Sequence, residues 1–508
     1  MAEIKEIENR IKVFWEQQEK FCSHPLETEL PNAETHNLST LAKTDLIQAI
    51  KTIQNVDVKA VKKMLDYVLQ LKELRKQINK TFKNGNRVYI CGCGASGRLA
   101  VFLEYLWKQS ASTEKKDNVI GFLAGGDSAM IKSLEGFEDH GDLGVKQLVK
   151  AGFKDGDLLI SASASGESPF ILAATEYASK TSVKPWFLHC NTNSALKGRI
   201  KNHVIYNPNV ISLSLYVGQM ALTGSTRMQA TTALMLGIGL PLFCSSSIEK
   251  ELDYLASFLR NSDMSPLKDI IIDEANTYKN NEYVLYDTYA GYGITVLTDT
   301  TERAPTFNLA PFENQLDKKI KPSWCYLLFS ETNDVEEAWE LLLGRPIRTL
   351  DWDFETSSER LLGFDFSRNI IKFRDGYATP SHILSIKKID NKIKITFRGR
   401  TVLFDISGLN PLFEQLFLKL LLNTASTLML GRLGFFEGNL MTSLYPSNSK
   451  LIDRAIRYID FLVNVKTGKK LPYNSIADYM FEELKKLKPN ESIVIRTVEK
   501  IVKSTEIL

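Results

Sequence analysis

Arg87-Val-Tyr-Ile-Cys-Gly-Cys-Gly-Ala-Ser-Gly-Arg-Leu-Ala100 is the stretch on which the reading of this chain turns. Val88 to Ile90 form an apolar run, Gly92 to Gly97 a small-residue loop, and a helical pattern opens at Arg98. A strand, a tight loop and a helix in that order build a site for an anion. Glycine lets the backbone approach closely, the first helical N–H groups lack partners, and the helix dipole favours negative charge. Ser96 adds a hydroxyl donor and Arg98 a positive charge. Phosphate is the guest such a loop suits. Glycines kept for packing alone are the alternative, so the surrounding sequence has to separate the two.

At 508 residues the chain has room for roughly two to four domains and ample core. Apolar content of 44% and charged content of 24% match a soluble globular protein. A net charge of +3 is too small to argue for nucleic acid. The amino terminus is charged from its third residue, unlike a secretory signal. No run approaches the ~20 apolar residues of a membrane helix; the longest, Ala233 to Phe243, is broken by Gly237, Gly239 and Pro241. Cysteines 22, 91, 93, 190, 244 and 325 form neither a C-x-x-C pair nor a disulfide framework. Scattered histidines give no ligand spacing, so no metal is expected. Reduced thiols in a cytoplasmic protein, without membrane or nucleic-acid partner and without cofactor, are the expectation.

Outward from the opening stretch, residues 1–80 read as helices: Ile4 to Phe21, Asp45 to Ile53, and Val58 to Phe82 with Asp57 as N-cap. From 86 to about 245, apolar runs alternate with helical patterns. The runs are Val88–Ile90, Val119–Leu123, Leu158–Ser161, Trp186–Cys190 and Val204–Tyr206. Helices fit Leu99–Lys108, Ser128–Leu134, Leu143–Ala151, Phe170–Ser179 and Ser225–Leu236. This alternation implies a parallel sheet covered on both faces, with ligands beyond the carboxyl ends of its strands. A second loop, Ser161-Ala-Ser-Ala-Ser-Gly-Glu-Ser168, again sets hydroxyls before a helix, with Ser161, Ser163, Ser165 and Ser168 around Gly166 suited to phosphate and Glu167 turned away, an ordinary serine-rich turn without a ligand being the alternative. Glu135, Glu138 and Asp139 follow a glycine-rich turn, and one of them is a candidate to face the ligand. Thr223-Gly-Ser-Thr-Arg-Met228 supplies Ser225 and Arg227, with a simple N-cap as the competing reading.

Shifted by 196 residues, the opening stretch falls on Glu282 to Val296 without a gap, Val88 over Val284 and Gly97 over Gly293. That recurrence points to a duplicated domain. The second copy has Tyr292 in place of Ser96 and Ile294 in place of Arg98, and its strand at Trp324–Phe329 leads into an acidic loop, so it is expected not to bind phosphate. Strands alternate through 365–405, and the end is helical: Leu412–Leu430, Lys450–Val463, Ile476–Lys488 and Ile493–Ser504. Lys450 opens a helix and is a candidate to reach an anion, with an exposed surface lysine as the alternative.

Together, Cys91-Gly-Cys-Gly-Ala-Ser-Gly-Arg-Leu99, Ala124-Gly-Gly-Asp127, Glu135-Gly-Phe-Glu-Asp139, Thr223-Gly-Ser-Thr-Arg-Met228, Asn439-Leu-Met441 and Asn448-Ser-Lys-Leu451 resemble the sugar-isomerase (SIS) domain proteins. More narrowly they resemble bacterial N-acetylmuramate-6-phosphate etherase and the glucokinase regulatory protein, over roughly residues 28 to 460. Etherases carry one SIS domain per chain and pair two chains; the regulatory protein carries two in tandem. The resemblance implies an α/β fold of two tandem SIS domains, with parallel, flavodoxin-like or Rossmann-like sheets. The expected segments are N-terminal helices over 1–80, SIS domains over 81–248 and 281–411 joined by a helical linker at 249–280, and a C-terminal helical region over 412–508.

The etherase mechanism, as the resemblance implies it, removes lactate by syn elimination and water addition with two glutamates. One maps to Glu138. The other lies nine residues past the last loop glycine, where the first copy has Leu106 and the second has Glu302. One composite site is therefore expected, with Gly94, Ala95, Ser96, Gly97, Arg98, Ser163, Ala164, Ser165, Ser168, Ser225, Arg227 and Lys450 on the sugar phosphate and Glu138 and Glu302 beside it. Glu167, Met220 and Gln229 stand where the etherase pattern has arginine, glutamate and lysine. The expectation is a sugar-phosphate-responsive regulator, monomeric, with a sugar kinase as partner; the alternative is an ether lyase releasing D-lactate. An aldose–ketose isomerase ranks last, because no separate base is evident.

Overall fold

Five parallel strands come first: β1 (Val88–Gly92), β2 (Val119–Leu123), β3 (Leu158–Ser163), β4 (Trp186–His189) and β5 (Ile211–Ser214), in the order β2-β1-β3-β4-β5. The computed structural model describes residues 2–16, 25–134, 136–197, 204–488 and 491–506. Strand β1 is buried from end to end, Val88 and Ile90 in the main core and Tyr89 and Cys91 in a second core on the opposite face. A continuous apolar run is what a doubly covered parallel strand requires. Crossover helices pack on both faces, and every loop at the carboxyl ends opens on one side.

The second sheet departs from the expected parallel architecture. It contains β6 (Tyr283–Asp287), β7 (Cys325–Leu328), β8 (Ser381–Ile389), β9 (Lys392–Phe397) and β10 (Arg400–Asp405), ordered β10-β9-β8-β6-β7. Strand β6 is parallel to β7 and β8, while β8, β9 and β10 form an antiparallel meander. The reason is local: two-residue turns follow β8 and β9, and Arg398 and Gly399 both take positive φ, as a type I′ hairpin demands. The offset of 196 residues nonetheless places β6 on β1, and the helix Gly293–Phe307 on the helix Gly94–Ser110. The order β7-β6-β8 repeats β2-β1-β3. The strand at Cys325–Leu328 therefore corresponds to β2, and β8, which ends in a hairpin turn, corresponds to the serine-loop strand β3.

Three other local expectations change. Val204–Tyr206 is a single 3-10 turn, and the fifth strand lies at Ile211–Ser214; three residues are too few to tell a strand from a turn. The pattern at Ser128–Leu134 yields only a 3-10 turn, Asp127–Met130, because Gly125 and Gly126 hold positive φ just before it. Asp57 lies inside the helix Leu46–Lys63, whose cap is Asp45, accepting from the Gln48 N–H at 3.0 Å. The expected helix Ile4–Phe21 is present as Ala2–Glu16, and its last residues fall outside the described chain, as do Cys22 and Glu135.

The helix Pro411–Arg432 is the axle of the molecule. It is buried almost all round and packs against the helices Leu38–Thr44, Leu46–Lys63, Gln229–Phe243, Leu267–Lys279 and Gly293–Phe307. A helix apolar on every face belongs in the centre of a large core. One contiguous core runs through the amino-terminal helices, both sheets and the carboxy-terminal helices. Among the described residues no helix is long and apolar enough to cross a membrane.

Buried Asp57 has a measurable consequence. Gln229 donates to its carboxylate at 2.7 Å. Burial pushes the Asp57 carboxyl up to about 6 from 3.8, against the pull of Lys419 and Gln229, while burial pushes Lys419 down to about 8. The folded protein then holds the Asp57 proton more tightly than the unfolded chain, so stability falls as pH rises through about 4 to 6. Relative to Asp57→Asn, which has no such proton, the wild type is expected to lose up to about 3 kcal/mol across that window, at 1.36 kcal/mol per pH unit. Denaturant unfolding of both proteins at several pH values measures this, and parallel stability curves contradict it.

Candidate functional site

The opening loop folds as its glycines require. Gly94 begins the helix Gly94–Ser110 at φ +51°. A Cβ on Gly97 would fall 2.3 Å from the Leu123 Cβ and 2.8 Å from the Gly92 carbonyl oxygen, so only glycine lets this helix close onto β1 and β2. The Gly97 N–H bonds the Cys93 carbonyl, and no backbone acceptor among the described residues takes the N–H groups of Gly94, Ala95 and Ser96. The Ser96 hydroxyl likewise makes no hydrogen bond among the described residues, and it lies at the edge of a cleft of about 450 Å³.

That cleft gathers most of the expected residues. Its walls include Gly94, Ala95, Ser96, Arg98, Glu138, Ser163, Ala164, Ser165, Ser225, Arg227, Glu302 and Lys450. Gly97 and Ser168 stand behind the wall: Gly97 packs on β2, and Ser168 Oγ contacts Cys93 Sγ at 3.2 Å and donates to the Glu138 carbonyl at 3.4 Å. In the serine loop, Ser163 Oγ accepts from the Gly166 N–H at 3.0 Å and Ser165 Oγ from the Glu167 N–H at 3.3 Å. Glu167 lies off the cleft, beside Lys450 and Arg454. The segment Thr223–Met228 is a loop and not a helix start: the helix begins at Gln229, because Gly224 takes φ +72°. Ser225 Oγ is buried there without a hydrogen-bond partner, a donor placed at the wall of the cleft with nothing to bind.

Two cations expected to meet the anion are committed elsewhere. Arg98, 2% exposed, donates to the Met130 and Ile131 carbonyls and forms an ion pair with Glu302. Arg227 bonds Asp299 at 2.7 Å, Ser426 at 3.1 Å and Thr427 at 3.0 Å, leaving only Nε unpartnered. Lys450, in the first turn of the helix Ser449–Thr467, forms no ion pair among the described residues and lines the cleft. One helical turn on, Arg454 grips Glu29 through two bonds of 2.7 Å.

Glu138 and Glu302 approach from opposite halves of the chain. Glu138 is exposed in the turn after β2, and its side chain makes no hydrogen bond or ion pair among the described residues. Glu302 sits on the helix Gly293–Phe307 of the second half, largely buried against Arg98. The equivalent seat in the second half is filled: the Tyr289 and Tyr292 rings pack at 4.9 Å, and Tyr292 donates to Glu414 at 2.7 Å, which would repel an anion. Sequence reading missed Asn191, which follows β4. Its amide donates to the Ala164 and Ser165 carbonyls at 3.3 and 3.0 Å, and its oxygen accepts from Thr28, so the amino-terminal segment braces the serine loop. Its place at the carboxyl end of a parallel strand was the available signal. At the positions where the etherase pattern has glutamate and lysine, Met220 accepts from the Ala230 N–H at 3.2 Å through sulfur and Gln229 bonds Asp57. A lysine from the carboxy-terminal half, Lys419, reaches the Met228 carbonyl at 3.0 Å.

Residues 70–179 match the sequence model of the glucokinase regulatory protein N-terminal SIS domain. Over these residues the chain is similar to the SIS domains of the etherase and regulatory-protein branch. An N-acetylmuramic acid 6-phosphate etherase of Clostridium botulinum (strain Loch Maree / Type A3) is 34% identical over 208 residues, and one of Bacillus subtilis (strain 168) is 32% identical over 210. Each alignment covers 41% of this chain and 65% of the relative, so the chain spans just under two thirds of those etherases. A solved tagatose-6-phosphate ketose/aldose isomerase from Escherichia coli is 11% identical, with 82% of this chain and 98% of that one covered and a TM-score of 0.43.

Proposed function

We propose that the cleft binds a sugar 6-phosphate and that Glu138 and Glu302 remove lactate from N-acetylmuramate 6-phosphate across it. The observation that carries this reading is the meeting of two carboxylates, from opposite halves of one chain, in a single cleft walled by two phosphate-type loops. The free N–H groups of Gly94 to Ser96, the Ser96 hydroxyl and Lys450 suit the phosphate. The likeness to etherases supports the chemistry. Glu302, ion-paired to Arg98, takes the proton from the carbon beside the ether-bearing carbon. The C–O bond breaks, and lactate leaves as Glu138 protonates the ether oxygen. Water then adds across the double bond, with the two carboxylates exchanging roles. Because both halves of the site lie in one chain, the monomer is the functional unit. Incubation of the protein with N-acetylmuramate 6-phosphate is expected to release D-lactate, and folded protein that releases none overturns the reading.

A non-catalytic sensor of sugar phosphate, read by a sugar kinase, draws on one finding, the match of residues 70–179 to the regulatory protein's domain. It predicts ligand binding without lactate. Both readings require the phosphate seat. Ser96→Ala is expected to weaken binding of N-acetylglucosamine 6-phosphate roughly 10- to 100-fold, the loss of one hydrogen bond to a charged group. Calorimetric titration of the wild type and the variant checks it, and equal affinities would move the phosphate elsewhere.

A further inference from the structure

The turn that carries Glu138 is held in part by the opposite half of the chain. Phe137 is buried in the core on the outer face of the first sheet, beside Phe122, Phe153 and Phe170. Leu350 and Trp352, from the second half, complete that core. The Trp352 ring stacks on Phe137 with centroids 6.0 Å apart and planes 10° apart, inside the range where aromatic pairs attract. Lys146 Nζ lies 4.0 Å from the Trp352 ring centroid, within cation–π range.

The segment bearing Trp352 is itself fixed. Arg345 grips Asp127 through two bonds of 2.7 and 2.8 Å, and the Asp127 N–H donates to the Arg348 carbonyl. Arg348 pairs with buried Glu104 at 2.7 Å. Asp351 takes φ +52°, a conformation that aspartate tolerates better than most residues, and its side chain accepts from Thr349 and the Ser358 N–H. The Trp352 N–H bonds Thr356 at 3.1 Å. By contrast, the Glu138 side chain has no partner of its own among the described residues, and its backbone is tied only through its carbonyl, which accepts from Phe170 and Ser168.

We propose that Trp352 is a positioning residue for Glu138: by stacking on Phe137 it fixes the turn that aims the carboxylate into the cleft. This rests on the reading of Glu138 as one of the two reacting carboxylates. The second half of the chain thus contributes twice, supplying Glu302 directly and aiming Glu138 through the aromatic clamp.

Trp352→Ala is expected to speed amide exchange at Phe137 to Asp139 by about tenfold or more while the serine loop keeps its protection. It is expected to lower kcat for lactate release roughly 10- to 100-fold with KM changed by less than about twofold, since misaiming a reacting group by an ångström costs that much. Trp352→Phe keeps a stacking ring and restores most of both readouts. Phe354→Ala, in the same segment but exposed, changes neither. Unchanged exchange at 137–139 together with unchanged kcat overturns the proposal, and so does exchange raised evenly along the whole chain, which would mark Trp352 as ordinary core. If the wild type releases no lactate, the etherase reading falls on that result alone. The exchange pattern then decides the clamp by itself.

Discussion

Glu302→Gln is expected to cut D-lactate release from N-acetylmuramate 6-phosphate by roughly 10²- to 10⁴-fold, the usual contribution of a general acid–base group. The substitution is chosen for what it keeps. A glutamine oxygen still accepts the Arg98 hydrogen bond but carries no charge, so the buried guanidinium loses its counter-ion and the melting temperature should fall while the fold is kept. Glu138→Gln provides the complementary case. Its carboxylate is exposed and bonded to nothing among the described residues, so the variant should lose activity to a similar degree with no stability change at all. If the two groups act in one reaction, the double variant should be little worse than either single one, because residues that work as a unit are not additive. Coupled detection of D-lactate beside thermal unfolding separates these outcomes. A rate above about a tenth of wild type in either single variant removes that glutamate from the chemistry.

The parts of this protein that were legible in its sequence are those where backbone geometry leaves little choice of residue. Gly94 needs a positive φ and Gly97 has no room for a Cβ, so the first loop announced itself, and the 196-residue recurrence of strand and helix followed from it. Glu138, Glu302 and Lys450 were placed in one cleft by motif position, and they meet there. What could not be read depends on partners far along the chain. Asp57 looks like a cap until Gln229 and Lys419 close around it from 172 residues away and beyond. Arg98 looks like a phosphate ligand until Glu302 arrives from the other half. The strands at Ser381–Ile389 and Lys392–Phe397 were legible, but two short turns make them part of an antiparallel meander, an effect on topology that no hydrophobic period reveals. Trp352 carries no motif, and only the fold brings it to Phe137.

Removing the carboxylate of Asp299 is expected to be the most destabilising single change in the junction between the halves, at about 3–5 kcal/mol for Asp299→Ala. One oxygen accepts from Arg227 at 2.7 Å, Ser426 at 2.9 Å and Asn423 at 2.9 Å, and the other from Arg303 at 3.2 and 2.9 Å. Arg227 belongs to the first half and Asp299 and Arg303 to the second, and all three are buried. Burial pushes the Asp299 carboxyl up, but Arg303 and Arg227 more than offset it and hold it below the usual carboxylate range. Its stabilisation is therefore present above the unfolded value of 3.8 and fades as pH falls through the lower folded value. Alanine leaves two guanidinium groups facing each other without an anion between them, although Arg303 keeps Glu274 at 2.8 Å. Arg227 bonds no second acid among the described residues and has only the more distant field of Glu302, so its largely uncompensated charge accounts for most of the loss. The double variant Arg227→Met, Asp299→Leu removes that charge together with its partner and should be more stable than Asp299→Ala alone, since replacing a buried pair costs far less than breaking one. Denaturant unfolding of the three proteins orders them, and an Asp299→Ala loss below about 1 kcal/mol would mean that water reaches this junction and screens it as it does a surface pair.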